Sequence, residues 1–165
     1  MTSAGLRAVL LVLLVFMGRV HHRARVTAPV EVPPDIYERV CALCLALPEV
    51  TERVDYSLVP ERSTAWSFDI RRRSFCLLVA RADPAGQPVP LLVLRADPQE
   101  RDALLAVGHP FFPTRAGRGR IGVLLTSDTD WPEIGELVIE SYRVLAPKKL
   151  TALLDEPGPL QLTGL

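Results

Sequence analysis

Three short clusters of basic side chains have the chemistry needed to hold phosphate groups. The first fills residues 71–73, the second alternates with glycines in residues 115–120, and the third is a lysine pair. An arginine donates parallel hydrogen bonds to a phosphate, and such contacts position a nucleic-acid backbone without reading its sequence. A solvated surface has the same residue types, so the residues alone leave both interpretations open. The candidate residues are Arg71, Arg72, Arg73, Arg115, Arg118, Arg120, Lys148 and Lys149.

The cysteines and histidines form no recognisable catalytic or metal-binding arrangement. Cys41 and Cys44 make a C-x-x-C pair, but it falls inside an apolar helical pattern and has no second ligand pair. Cys76 lies in an apolar strand pattern, so all three thiols are expected to be structural. His109 is the single histidine after residue 22, which supports neither a catalytic triad nor a zinc site. We therefore expect no enzymatic activity, no metal and no cofactor.

The first 25 residues differ in composition from the rest of the chain. Residues 8–17 are an uninterrupted apolar run, too short for a membrane-spanning helix, which needs about 20 residues. The run fits a signal peptide, a membrane anchor or a leader that is not part of the native chain, although the basic residues after it do not suit cleavage. An odd number of cysteines fits free thiols in a reducing compartment, so a cytoplasmic location is expected.

The charge balance restricts how the chain could bind nucleic acid. Four of the 19 basic residues precede residue 26, whereas all 19 acidic residues follow it. Residues 26–165 therefore hold 15 basic and 19 acidic residues, a net charge of −4. This balance opposes long-range attraction to a polyanion, so only a local basic patch could bind one.

Periodic apolar positions and helix-capping residues predict an α+β domain. Helices are expected from Pro34 to Pro48, after Asp97, after Asp130 and from Pro147, because proline suits a first helical turn and aspartate caps it. Alternating apolar segments predict strands at residues 64–70, 74–81, 89–95 and 121–126. Residues 51–62 are expected to be irregular and residues 109–120 a loop. The predicted order is α-β-β-β-α-β-α, with a single antiparallel sheet packed against helices.

The same patterns divide the chain into three parts. Residues 1–33 are a leader with a proline-rich link, residues 34–155 a domain, and residues 156–165 a tail. Every periodic segment lies in the central part, which is expected to fold without the leader.

Several motifs, taken in order, resemble those of the MmcQ/YjbR family. They cover about residues 35–154 and are CLALPEVTE at 44–52, WSFDIRRRSF at 66–75, LVLRADP at 92–98, Asp130-Trp131, and ESYRVLAPKK at 140–149. The sequence departs from the family at Ile121, where many members have a tryptophan. The resemblance implies a fold similar to that of frataxin and CyaY, and the family label of a DNA-binding protein with two basic wings.

Three hypotheses for function follow, of which the third is an enzyme whose site matches no recognisable motif. The first is weak, salt-sensitive and largely sequence-nonspecific DNA binding through the three basic clusters. The second is a non-enzymatic module that binds a protein or a small ligand through exposed Trp66, Phe111 and Phe112. These aromatic side chains would also suit a core, and an exposed position is needed for the second hypothesis.

Overall fold

The computed structural model of the chain describes residues 30–54 and 64–155. The predicted leader up to residue 25 and the predicted tail at residues 156–165 lie outside these ranges. Within them, no helix has the length and hydrophobicity that crossing a membrane requires.

Four helices begin and end largely where the sequence signals place them. They are α1 (Pro34–Leu45), α2 (Pro98–Val107), α3 (Trp131–Leu145) and α4 (Lys148–Asp155). The side chain of Asp97 accepts hydrogen bonds from the backbone N–H groups of Gln99 and Glu100, and Asp130 accepts one from Glu133. These caps satisfy N–H groups that have no partner inside the helix.

Six strands form one antiparallel sheet, which confirms the predicted α+β class. The strands are β1 (Val50–Val54), β2 (Ala65–Ile70), β3 (Arg73–Ala82), β4 (Pro88–Arg95), β5 (Phe111–Pro113) and β6 (Arg120–Leu124). Their spatial order is β1-β2-β3-β4-β6-β5. Two of them extend the predicted sheet: β1 lies in the segment expected to be irregular, and β5 lies in the segment expected to be a loop. Each forms an outer strand of the sheet.

The main core lies between one face of the sheet and helices α1 and α3. Val40 and Cys44 of α1 and Val138 and Tyr142 of α3 are fully buried, and they belong to the same apolar cluster as Phe68. The apolar positions of both helices recur every three or four residues, which turns one stripe of each toward the sheet.

The opposite face of the sheet, called here the second face, is also apolar in its centre. Val79, Leu91, Phe112 and Leu124 form a separate buried cluster there together with Ala65. The Phe112 ring packs directly against Gly122. A Cβ atom at residue 122 would lie 2.3 Å from the ring, so only glycine leaves room for it. Strand β5 is therefore held to β6 by close packing as well as by backbone hydrogen bonds.

Candidate functional site

Most of the predicted basic residues lie around one end of the sheet, called here the basic end. Because the strands are antiparallel, the β2–β3 turn, the last residue of β4 and the β5–β6 loop all fall at this end. These positions hold Arg71 and Arg72, Arg95, and Arg118. Arg73 and Arg120 are the first residues of β3 and β6. The topology thus places the β2–β3 turn and both ends of the β5–β6 loop at one end of the sheet, with their centres three strand spacings apart.

The β2–β3 turn is tight and its two arginines have an unusual backbone conformation. Ile70 pairs directly with Arg73, so Arg71 and Arg72 alone form the turn, and their φ angles are 48° and 68°. Positive φ at both positions matches the right-handed twist of a two-residue hairpin, where asparagine and glycine are the usual residues. Two arginines in this place are energetically unfavourable for folding, and both are exposed.

Glu49 links Arg71 to the lysine pair. Its carboxylate accepts a hydrogen bond from Arg71 Nε at 3.0 Å, and both side chains are exposed. The bonded guanidinium of Arg71 lowers the pKa of Glu49, and the charge of Lys149 lowers it further. The charges of Arg71 and Lys149 therefore both act on one acidic group, which reduces the net positive charge in this part of the basic end.

Arg95 and Arg120 form a pair of like charges across two adjacent strands. They are direct partners in the β4–β6 register. Arg95 Nε donates to the carbonyl oxygen of Ser74 at 2.7 Å, and Arg120 Nη2 donates to the same oxygen at 3.2 Å. Burial lowers the pKa of both groups, and a neighbouring arginine adds to each effect: Arg73 for Arg95, and Arg95 for Arg120.

The structure places Arg120 differently from the sequence prediction. The residue belongs to β6 and not to a flexible loop, and only 9% of it is exposed. One of its terminal nitrogens, Nη1, is buried and has no hydrogen-bond partner. Arg120 is consequently a buried cation and not a mobile surface contact.

Arg115 and Arg118 remain in the exposed loop between β5 and β6. Across the described ranges, neither has an ion pair with a carboxylate. Burial lowers the pKa of Arg81 on β3, and the charge of Arg115 lowers it further, so these two arginines are close. Arg115 is therefore associated with Arg81, and Arg118 remains with the basic end through its place in the loop.

A β-bulge explains why the Ser74 carbonyl and Arg95 meet at this end. Phe68 of β2 pairs with Cys76 and Asp69 pairs with Ser74, so Phe75 is an extra residue on β3. Ser141 of α3, which is fully buried, donates its hydroxyl to the Phe75 carbonyl at 2.7 Å. The same hydroxyl oxygen accepts the backbone N–H of Arg95 at 2.7 Å. Ser141 thus ties the bulge to the last residue of β4.

Comparison with known proteins agrees with this architecture. The model of the YjbR family matches residues 45–144 of the chain.

The chain belongs to the YjbR family.

A solved structure of a Deinococcus radiodurans protein with a DUF419 domain has the same fold, with a TM-score of 0.52 and 20% sequence identity. The match covers 78% of this chain and 94% of that one. A search of curated proteins found no match.

The part matched by the YjbR family contains the whole strand portion of the basic end but not the lysine pair at 148–149. It also contains Ser141 and Tyr142, the Ser-Tyr dipeptide that carries part of the resemblance. Tyr142 is fully buried, donates its hydroxyl to the Pro48 carbonyl at 3.0 Å and contacts Phe75 edge to face. The dipeptide therefore joins α3 to both the bulge and the end of α1.

Sequence reasoning missed Ser74, Arg95 and the role of Ser141. Arg95 stands alone between apolar residues and Asp97, so no cluster of charges marks it. Its only signal was its place in the LVLRADP motif. The contacts arise from residues that are 21 and 46 positions apart in the chain, and only the strand register brings them together.

The aromatic residues proposed as exposed anchors are in fact packed. Phe111 is in the main core and Phe112 is on the second face, with 7% and 5% of each exposed. Trp66 is half-buried, and its ring centroid is 4.7 Å from that of Tyr37. The second hypothesis needs these residues to be exposed, whereas Phe111 and Phe112 are buried and Trp66 is half-buried.

The three thiols are free and none is fully exposed. Contact with Cys76 and burial raise the pKa of Cys44, and burial raises that of Cys41. In the described parts of the chain, no group of three histidine, cysteine or acidic side chains is arranged to hold a metal ion.

An open groove of about 450 Å³ lies at the opposite end of the sheet from the arginines. Its walls include Pro33 before α1, Pro88 and Pro90 of β4, and Trp131 at the start of α3. The guanidinium carbon of Arg39 lies 5.1 Å from the centroid of the Trp131 ring. This groove is the structural feature that a small-ligand function could use.

Proposed function

We propose that this YjbR-family chain binds DNA weakly and without marked sequence preference, through phosphate contacts at the basic end. One observation carries the proposal: the β2–β3 turn and both ends of the β5–β6 loop, called here the two projections, lie at the same end of the sheet. Their centres are three strand spacings apart in the order β2-β3-β4-β6-β5, which corresponds to about 14 Å at 4.7–4.9 Å per strand. The major groove of B-DNA is about 12 Å wide, so two such projections can reach phosphates on both of its sides.

The exposed arginines of these projections are available for new contacts. Arg72, Arg73 and Arg118 are exposed and have no carboxylate partner in the described structure. The strained backbone of Arg71 and Arg72 also supports a role beyond folding, since unfavourable turn residues are more common where function requires them. Contacts of this kind hold the phosphate backbone and carry no base specificity.

The acidic balance of residues 26–165 keeps the expected affinity of this part of the chain low. A net charge of −4 over residues 26–165 repels DNA at a distance, so attraction is limited to about one Debye length from the basic end. The expected binding is therefore strongest at low salt and falls steeply as salt is added.

The test is a titration of fluorescently labelled duplex DNA with the full chain at several salt concentrations. Each phosphate contact contributes about −0.9 to the slope of log affinity against log salt. Replacing one arginine from each projection, as in the double variant R72Q/R118Q, should weaken binding to all duplex sequences about equally. It should also flatten the slope by about 1.8.

The matched control is R39Q, which removes one exposed positive charge at the opposite end of the sheet. It should leave the slope unchanged, whereas R72Q alone should reduce its magnitude by about 0.9. The leader contributes four arginines to every variant equally, so the comparison isolates the basic end. No binding at low salt, or equal slopes for the double variant and the unmodified chain, would refute the proposal.

The second hypothesis is an interaction module. Two of its proposed aromatic anchors, Phe111 and Phe112, are buried in the fold. What supports it is the groove beside Trp131, whose volume of about 450 Å³ lies within the 300–1,000 Å³ that is usual for small-ligand sites. Protection of Trp131 fluorescence from an added quencher by a small-molecule library would test it. A library without effect on quenching would leave this groove as a surface feature.

A further inference from the structure

The pairing of Arg95 with Arg120 is costly for a folded protein. Like charges that stand directly opposite each other on neighbouring strands destabilise a sheet. Arg120 is nine-tenths buried, and burial of a cation without a counter-ion is more costly still. Neither arginine has an ion pair with a carboxylate in the described ranges.

The acidic side chain that interacts with Arg120 already has two hydrogen-bond partners. Asp69 interacts electrostatically with Arg120, but its Oδ1 accepts the Ser67 hydroxyl at 2.5 Å and its Oδ2 accepts Arg53 Nε at 3.0 Å. Both carboxylate oxygens thus have closer partners. The carbonyl of Ser74, shared by the two arginines, carries only a partial charge and leaves Nη1 of Arg120 without a partner.

We propose that Arg73, Arg95 and Arg120 together form a binding site for one tetrahedral oxyanion, a phosphate group. Arg120 supplies a buried unpaired N–H donor, Arg95 a half-buried guanidinium, and Arg73 an exposed one at the start of β3. Arg95 and Arg120 are direct register partners that donate to one carbonyl oxygen, and the charge of Arg73, at the start of β3, acts on Arg95. A phosphate bound among them replaces repulsion with charge-assisted hydrogen bonds.

The phosphate could belong to a DNA backbone or be free in solution. The first source makes this site a specific part of the proposed DNA contact and rests on that function, whereas the second does not. Inorganic phosphate is the simplest probe, because it requires only the three arginines and no groove geometry.

The experiment measures the melting temperature of the full chain in increasing sodium phosphate, with sodium chloride added to keep ionic strength constant. A ligand that binds only the folded state raises the melting temperature. At ten times its dissociation constant, phosphate should raise it by about 4 °C. Because ionic strength is constant, general screening contributes nothing to the shift.

Two variants test the site and one controls for charge. R95Q and R73Q should each lose most of the phosphate-dependent shift. R39Q removes an exposed arginine at the opposite end of the sheet and should keep the shift. Since Arg73 is exposed, R73Q provides a folded variant even if R95Q is too unstable to measure.

The outcomes separate this inference from the proposed function. A phosphate shift that R73Q and R95Q abolish supports the site, whether or not the chain binds DNA. Absence of a shift in the unmodified chain, or an equal shift in R73Q and R95Q, overturns the site. The DNA titration run in parallel decides the source: competition between phosphate and duplex DNA assigns the site to the DNA contact. Phosphate binding without DNA binding assigns it to free phosphate and refutes the proposed function alone.

Discussion

Arg95 of β4 and Arg120 of β6 are direct partners on adjacent strands, and both donate to one oxygen, the carbonyl of Ser74. The shared acceptor lies at the β-bulge, where Phe75 is the extra residue. Bulges redirect the backbone and change where side chains and carbonyl groups point. The position of the two arginines therefore depends on the bulge, and the bulge in turn depends on the helix that packs beneath it.

Removing the Ser141 hydroxyl should destabilise the fold. In S141A, the Phe75 carbonyl and the Arg95 N–H both lose a buried partner at 2.7 Å, which should lower the free energy of unfolding by about 2 kcal/mol. Urea denaturation measures this change. S127A, which alters an exposed serine with a weak contact at 3.4 Å, should leave stability nearly unchanged, and equal effects of the two variants would contradict the role given to Ser141.

Two glycines should respond oppositely to the addition of one methyl group. In G122A the new Cβ would lie 2.3 Å from the Phe112 ring, so the variant should lose about 1–3 kcal/mol through overpacking. In G135A the nearest atom to the new Cβ is Leu43 Cδ2 at 3.5 Å. Because Gly135 lies inside α3, alanine should stabilise the helix by up to about 1 kcal/mol. Thermal unfolding of both variants tests the packing of β5 on β6.

Glu49 should weaken DNA binding, so its neutralisation should strengthen it. E49Q removes the carboxylate that holds Arg71 at 3.0 Å. An exposed ion pair is weak because water and salt screen it, so affinity should rise by a modest factor, less than about tenfold, at low salt. The labelled-duplex titration measures it, and E38Q, an exposed acid on α1, is the control for net charge. If E38Q strengthens binding as much as E49Q does, the effect is one of overall charge.

The cysteines should react slowly with alkylating reagents in the folded state. The pKa of Cys44 and that of Cys41 are raised, by contact with Cys76 and burial in the first case and by burial in the second. Only the thiolate is nucleophilic, so the thiols should stay unlabelled by iodoacetamide at neutral pH and react fully in urea. Because the raised pKa keeps the folded Cys41 and Cys44 thiols protonated, stability should fall as pH rises through the unfolded thiol pKa of about 8.5. Mass spectrometry that finds labelled Cys44 in the native chain at pH 7 would contradict this.

The helices and central strands could be predicted from the sequence because their signals are local. Asp97 followed by proline caps α2, and the apolar stripe of α3 sets which side faces the sheet. Strand β1 was missed because its centre, Thr51 to Arg53, is polar and its side chains are alternately half-buried and exposed. An edge strand of this composition gains its structure from hydrogen bonds to β2, which no local pattern reveals.

The candidate site was predictable only in part, for the same reason. Runs of arginine identified the β2–β3 turn and the β5–β6 loop, and topology then placed both at one end of the sheet. The burial of Arg120 depends on its being the first residue of β6 and lying opposite Arg95. The spacing of residues in the sequence does not reveal that Arg95 pairs with Arg120 or that both bind the Ser74 carbonyl, because strand register depends on long-range contacts.

The contact between Glu49 and Arg71 also affects which anions can compete for Arg71. A carboxylate on the same chain is a tethered competitor, present at a fixed effective concentration that dilution does not change. A small anion with a single charge must displace it unaided, whereas a polyanion gains several contacts for each one displaced. In the proposed DNA contact, Glu49 would therefore favour multivalent ligands over simple anions.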